Sequence, residues 1–456
     1  MRHAIVVGTC LDLEVLRGSR YGLTLLSSAN ELIREIRRLL SRACSNSSLD
    51  LSKREDEGRF EGRRRNIIIG DAGRDADLDD DLLFAVMHLA KVTGLRNSSM
   101  LSDPPVRPHD ERRTDLFKPP VFLRRMQYLH LWGRSDHPSS AAEASLHLSQ
   151  LETLVALKGG LQQVKAPGFA EALHLFDIIG SAKRLARPRF EMPRSSIDFL
   201  QDKMPALRMQ QRRVGVEMYQ HLPLDSPLAE IFQDIHLFCS SICSLVSRLN
   251  PGAHGQDGNR DSSSTSSPPS ADTLSSEDVV LLRNLVEYRL LAYSADSNNW
   301  TESVTWTSAM IFTHGVVFPL PHSASLNILV CRLREALRAR RADIHHLASR
   351  CEPLRGAAFE TSPGLDPDPD KRLVIWAAMM GVMATSDSQA EEERVFFLNT
   401  LRTYLSGSGI SSWAQLKSIL EAYLWVDWAC DMGGLAVWEM LSTICAHGHG
   451  TAWPRW

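Results

Sequence analysis

Cys239 and Cys243 stand one helical turn apart, a spacing at which two thiols could share a metal ion. They flank the apolar positions Ile235, Phe238 and Ile242, and a free cysteine packs as a small apolar side chain, so core packing is the preferred reading. Cys445, His447 and His449 make a short Cys-x-His-x-His cluster. Zinc takes four ligands, or three and a water, and no second cluster accompanies this one, so it is read as incidental. His345-His346 follows a basic helix without an identifiable partner. Gly407-Ser-Gly409 lacks the flanking strand and the elbow spacing that expose a hydrolase nucleophile. Asp79-Asp-Asp81 and Glu391-Glu-Glu393 are read as solvated helix starts, where acids favour the positive end of the dipole. Two apolar runs, 4–8 and 67–71, reach a glycine but do not continue into a phosphate-binding glycine pattern. No catalytic, cofactor-binding or metal site is expected from these residues, and the chain is not expected to be an enzyme.

The elements that would position such residues are nearly all helical. Ile231, Ile235, Phe238, Ile242, Leu245 and Leu249 repeat by fours and threes along one face, a bundle seam in preference to a dimerising coil. Leu282, Leu285, Val286 and Leu290 make a second seam, preceded by Ser275-Ser-Glu-Asp278, which suits a helix start. Leu326, Leu329, Val330, Leu333 and Leu337 make a third, expected to end at Arg338-Ala-Arg-Arg341 with cations at the negative end of the dipole. Leu416, Ile419, Leu420, Tyr423 and Leu424 make a fourth, followed by Gly433-Gly434 and a last helix around Trp438. Credible strands are confined to 2–7 and 66–69. The expected class is all-α, a multi-helix bundle-like body with disordered linkers.

The expected linkers are polar or low in complexity: 45–65, 251–276 and 352–369. They give a poorly defined segment at 1–78 and a helical body at 79–250. An insertion at 251–276 precedes the second part of that body at 277–350. A loop at 351–370 then leads to a C-terminal helical part of the same body at 371–446. The net charge of −3 offers no bulk case for binding nucleic acid. The basic stretches are Arg63-Arg-Arg65, 183–189, Arg212-Arg213 and 332–341, the last read as the wet face of an amphipathic helix. The eight cysteines are scattered without framework spacing, which reads as reduced thiols inside the cell. No secretory signal and no membrane span are expected, since the apolar window 374–384 is well short of the roughly 18 residues a bilayer needs.

The most patterned stretch runs from Leu148 to Leu161. Leu148, Leu151, Leu154 and Val155 share a helical face, and Gly159-Gly160 supplies the left-handed conformation that stops a helix. Phe169, Leu173, Phe176 and Asp177 follow, then Ala182 and Pro188-Arg-Phe190. This string resembles the middle of the helical regulatory region of fungal-specific transcription factors, the zinc-cluster regulators. Members show a histidine-and-leucine helix, an L-x-L-R-G-G-L-like stop, an aspartate-to-alanine run and a P-x-F. Lys158 stands here where arginine is common. Farther on, Leu373-Val-Ile-Trp376, Gly381, Phe396-Phe397, Ser411-Ser-Trp413 and 420–438 look like the end of that region, and 79–95 like an early helix of it.

The resemblance implies a nuclear regulator of transcription whose helical domain meets protein partners, other regulators among them, or a small effector. It implies no cofactor. Members that bind DNA carry six cysteines holding two zinc ions, whereas only Cys10 and Cys44 precede Cys239 here. Direct DNA binding by this chain alone is therefore not expected. Either the cluster is encoded upstream, or the chain is a relative that works through partners. The alternative is a cytoplasmic helical scaffold or an unrecognised enzyme of secondary metabolism.

Overall fold

The structure is a computed structural model that describes Arg34, Leu83, Met87 and residues 116–119, 138–213, 226–249, 274–295, 299–319, 324–350, 369–385 and 391–446. Among these residues every regular element is helical, as the seams imply. The strand candidates at 2–7 and 66–69 lie outside the described residues, as do Asp79–Asp81, Arg63–Arg65 and most of the three expected linkers. The chain falls into two compact units. The first takes 1–110, 125–180 and 188–197; the second takes 111–124, 181–187 and 198–456.

In the first unit, α1 (Pro138–Leu157) ends where the sequence says it should. Gly160 N–H donates to Val155 O at 2.9 Å and Gly159 N–H to Ala156 O at 3.0 Å, a Schellman stop with both glycines at positive φ. A single 3₁₀ turn (Leu161–Gln163) then leads to α2 (Phe169–Arg184). Leu148, Leu151 and Val155 of α1 meet Phe169, Leu173 and Phe176 of α2 in one buried core with Leu161 and Phe190. Leu83 and Met87, both helical, join that core.

The second unit is a larger bundle. α3 (Arg194–Asp198) belongs to the first unit up to Ile197 and runs on into a π turn (Phe199–Lys203) of the second, whose further elements are α4 (Met204–Arg213), α5 (Ser226–Leu249) and α6 (Ser276–Ala292). Next come α7 (Trp300–Phe312), which runs into a second π turn (Thr313–Val317), and α8 (Ala324–Arg350). α9 (Pro369–Ala384), α10 (Glu391–Gly407), α11 (Trp413–Glu421) and α12 (Asp427–Ala446) complete it.

The α5 and α6 seams are buried where their side chains are described, whereas the fourth is cut short: α11 ends at Glu421, so Tyr423 and Leu424 lie in the turn beyond it. Ile231, Ile235, Phe238 and Ile242 are buried along α5, as are Leu282, Leu285, Val286 and Leu290 along α6. The start of α6 is a full capping box: Ser275 Oγ accepts from Asp278 N–H at 3.1 Å while the Asp278 carboxylate accepts from Ser275 N–H at 3.2 Å.

α9 sits at the centre. Residues 373–383 are buried without a break, as befits a helix that is apolar all round, and it packs on α7, α8, α10, α11 and α12. Trp376 is fully buried, stacked on Tyr423 at 5.1 Å and edge-on to Phe232 at 6.2 Å. Its indole N–H donates to Leu424 O at 3.1 Å, so the one polar atom of the ring is satisfied. Among the described residues no helix is long and apolar enough to cross a membrane.

Three expectations are corrected. Arg338-Ala-Arg-Arg341 does not end its helix, because α8 continues to Arg350. Nor is this basic stretch simply a wet face. Arg334 donates to Glu393 at 2.8 Å and Arg340 to Asp370 at 2.9 Å, and the Arg338 and Arg340 guanidiniums lie over the Phe396 and Trp300 rings. Gly433-Gly434 does not separate two helices either; it lies inside α12. A Cβ on Gly433 would stand 2.1 Å from the Leu116 carbonyl oxygen, and one on Gly434 would stand 2.6 Å from the Trp413 and Trp425 rings. Close approach, and not helix termination, is what those glycines provide.

Candidate functional site

Most residues with candidate chemistry have a structural use. Cys239 is buried and Cys243, one turn on, is exposed, with its sulfur accepting the Trp428 indole N–H at 2.9 Å. Burial pushes the Cys239 thiol well up, and the neighbouring Cys243 and Cys430 thiols add to the shift, so Cys239 packs as an apolar side chain. Gly407-Ser-Gly409 is the end of α10, with Gly409 at φ 69° and Ser408 Oγ donating to Tyr404 O at 2.7 Å. Glu391–Glu393 open α10 at its positive dipole end, where Glu392 and Glu393 face Arg334 and Glu391 faces Arg394. His345 and His346 lie on α8 with side chains outside the described residues; Cys445 closes α12, likewise without a described side chain, and His447 and His449 lie beyond it. Among the described residues no group of three or more His, Cys, Asp or Glu side chains could hold a metal ion.

The strongest ionic arrangement is also structural. Asp234 on α5 is fully buried, and Arg208 of α4 grips it with two bonds of 2.7 Å. Arg289 of α6 reaches the same carboxylate and donates to Glu230 at 2.9 Å. Two guanidiniums facing two carboxylates leave no net charge and tie three helices together. Desolvation works against the Arg208 cation, but the Asp234 bonds outweigh it and its pKa is raised.

A second polar cluster differs from this one. Glu287 of α6 and His314 of the second π turn are both fully buried, and His314 Nε2 lies 3.0 Å from Glu287 Oε1. Glu287 Oε2 and His314 Nδ1 are buried without a hydrogen-bond partner. Arg283, one turn earlier on α6, is buried as well, and its guanidinium donates to Asn284 Oδ1 and lies 4.9 Å from the Phe318 ring centre. Burial pulls Arg283 down to about 10, while the Glu287 carboxylate works in the opposite direction.

The helical frame accounts for the placement. Arg283 and Glu287 are spaced by one turn on α6, and the wider winding of a π turn, a feature frequent at functional sites, presents His314. Beside His314, Gly315 receives the ring of Phe117, whose Cδ2 would lie 2.5 Å from a Cβ there. Chemically the pair offers a carboxylate oxygen as acceptor and a ring nitrogen whose role follows the tautomer, both shielded from water.

No periodicity could have announced this pair, because Glu287 and His314 are 27 residues apart. A charged residue inside the apolar seam of α6 is the one signal the sequence offered. Comparison of the chain with protein-family models, with curated proteins and with solved structures finds no match.

Proposed function

We propose that this chain is a regulator of gene expression of the fungal zinc-cluster class, nuclear, acting through protein partners or a small effector. No DNA-reading zinc cluster is encoded within these residues. The observation that supports this reading is the joint use of the residues that carry the resemblance. Leu148, Leu151, Val155, Phe169, Leu173, Phe176 and Phe190 form one core. The Gly159-Gly160 stop closes it at one end, and the Asp177 carboxylate secures the Pro188-Arg-Phe190 turn at the other. In this reading the open valences of Glu287 and His314 are where the second unit meets a small polar effector, with bundle helices supplying the apolar surround.

Tagging the chain in its host and profiling transcripts in a deletion strain tests the proposal. Nuclear residence with a confined set of altered transcripts is the expected result. Cytoplasmic residence with an unchanged transcript profile defeats it.

A second reading, a cytoplasmic enzyme, draws on one observation: a carboxylate against an imidazole is the pairing that orients a general base. Under that reading Glu287→Gln abolishes a metabolite and leaves transcripts alone. Under the regulatory reading it changes transcripts first.

A further inference from the structure

α12 packs one face inward and leaves the other bare. Cys430, Gly434, Val437 and Leu441 are buried along its inner side. The opposite side, where a helix at a protein surface is ordinarily polar, carries two neighbouring rows spaced by four. One row is Trp428, Met432, Ala436 and Met440, apolar throughout. Met432 is 71% exposed, the most among the described large apolar side chains, and the rest of its row is half-buried. The other row is Asp427, Asp431, Leu435 and Glu439, with Leu435 42% exposed. The Trp428 N–H is already taken by Cys243 Sγ at 2.9 Å, so the indole offers a visitor only its apolar ring.

The charge on this side has one sign. From Asp427 to Ala446 the helix carries no lysine, arginine or histidine. Lys417 of α11 lies 2.7 Å from Asp431, 3.0 Å from Asp427 and 3.6 Å from Glu421. One ammonium thus faces three carboxylates, and Glu439 adds another two turns along α12. Burial works against the Lys417 cation, yet Asp431 and Asp427 outweigh it and raise its pKa, as an excess of carboxylate should.

That sign selects among visitors. An anionic lipid surface or a nucleic-acid backbone would be repelled. A second copy docking α12 on α12 would set these carboxylates against themselves. A helix with cations beside an apolar stripe is drawn by both rows, its ridges meshing with those of α12.

We propose that the outer face of α12 docks a basic amphipathic helix of a partner protein. Trp428, Met432 and Leu435 receive its apolar stripe; Asp427, Asp431 and Glu439 receive its lysines or arginines. The face would receive such a helix whether or not the chain regulates expression.

The test pans a displayed library of peptides of about 18 residues, about five helical turns, against the full chain. The chain carrying Met432→Gln and Leu435→Gln serves for counter-selection. Both side chains are exposed and glutamine suits a helix, so this double variant is expected to keep the wild-type melt. Peptides held by wild type and released by the variant should carry lysine or arginine beside aliphatic residues spaced by three and four. The best of them, labelled and followed by anisotropy, should bind roughly tenfold more weakly to Glu439→Lys and more weakly as salt is raised.

The absence of any peptide that separates wild type from the double variant overturns the proposal. So does enrichment of acidic or uncharged peptides, or an affinity that ignores Glu439→Lys. Loss of the melt in the double variant overturns it as well, since the two side chains would then be packed and not presented. A wild-type dimer that the double variant dissolves assigns the face to a second copy and defeats the partner assignment.

Discussion

The Asp177 carboxylate, wholly buried, accepts the backbone N–H of Phe190 at 2.9 Å, thirteen residues further along the chain. The same oxygen accepts Arg189 N–H at 2.5 Å. One side chain on α2 thereby fixes the turn that returns Phe190 to the core of the first unit.

Asp177→Ala should destabilise the first unit by about 3 kcal/mol, since one buried and one half-buried N–H group lose a charged acceptor. Asp177→Asn keeps one acceptor oxygen and should cost about half as much. Urea unfolding followed by far-UV circular dichroism reads both. Equal and small losses for the two variants would show that the turn is held by Phe190 packing alone.

Much of the helical frame was legible because apolar residues at spacings of three and four are what a packed helix face requires. The Leu148–Val155 face, the Gly159-Gly160 stop and the Ser275–Asp278 cap each needed only local rules. Gly433-Gly434 misled for a physical reason. Glycine serves both helix stops and close approach, and only the fold reveals that Leu116, Trp413 and Trp425 converge on it. Arg338–Arg341 misled similarly, because the partners that hold Arg340 in mid-helix, Asp370 and Trp300, lie on other elements. The Glu287–His314 pair and the packing of Phe117 on Gly315 are contacts between distant segments, which periodicity does not encode.

Acid should weaken the protein well above the carboxylate range. Burial pulls His174 in the first unit and His236 in the second down to about 4 from the usual 6.5. Both are therefore neutral when folded at pH 7. As pH falls below 6.5 the unfolded chain binds the proton first, so stability is lost between about 6.5 and 4. The loss approaches about 3 kcal/mol for each histidine below that window. His236→Gln keeps a donor for Tyr423 O, 3.2 Å from the imidazole, and removes the titration. Its stability should fall less than that of wild type between pH 7 and pH 4.5. Parallel pH profiles would exclude His236 as a source of the effect.

Gly381→Ala sets helix propensity against packing. Alanine favours a helix interior by about 1 kcal/mol over glycine. Here, however, its Cβ would meet the Phe397 ring at 2.6 Å. Overpacking costs about 1–3 kcal/mol, so a net loss is expected, and Phe397→Leu in the same chain should recover part of it. A stabilised Gly381→Ala variant, judged by thermal melting, would mean that the ring moves freely.

Truncation after residue 368 removes α9 to α12. The faces of α7 and α8 that α9 covers would be bare, along with Phe232, which loses Trp376. The fragment 1–368 should aggregate and bind a hydrophobic dye, as size-exclusion chromatography and fluorescence would report. A monomeric fragment with a sharp melt would show that the earlier helices of the second unit fold unaided.

The central position of α9 also sets a timetable. Ribosomes deliver a chain from its N-terminus at about 5–20 residues per second. Residues 373–383, the buried middle of the second unit, emerge only after α4 to α8. For several seconds of synthesis those helices wait with their inner faces unmatched, so this unit can close only late.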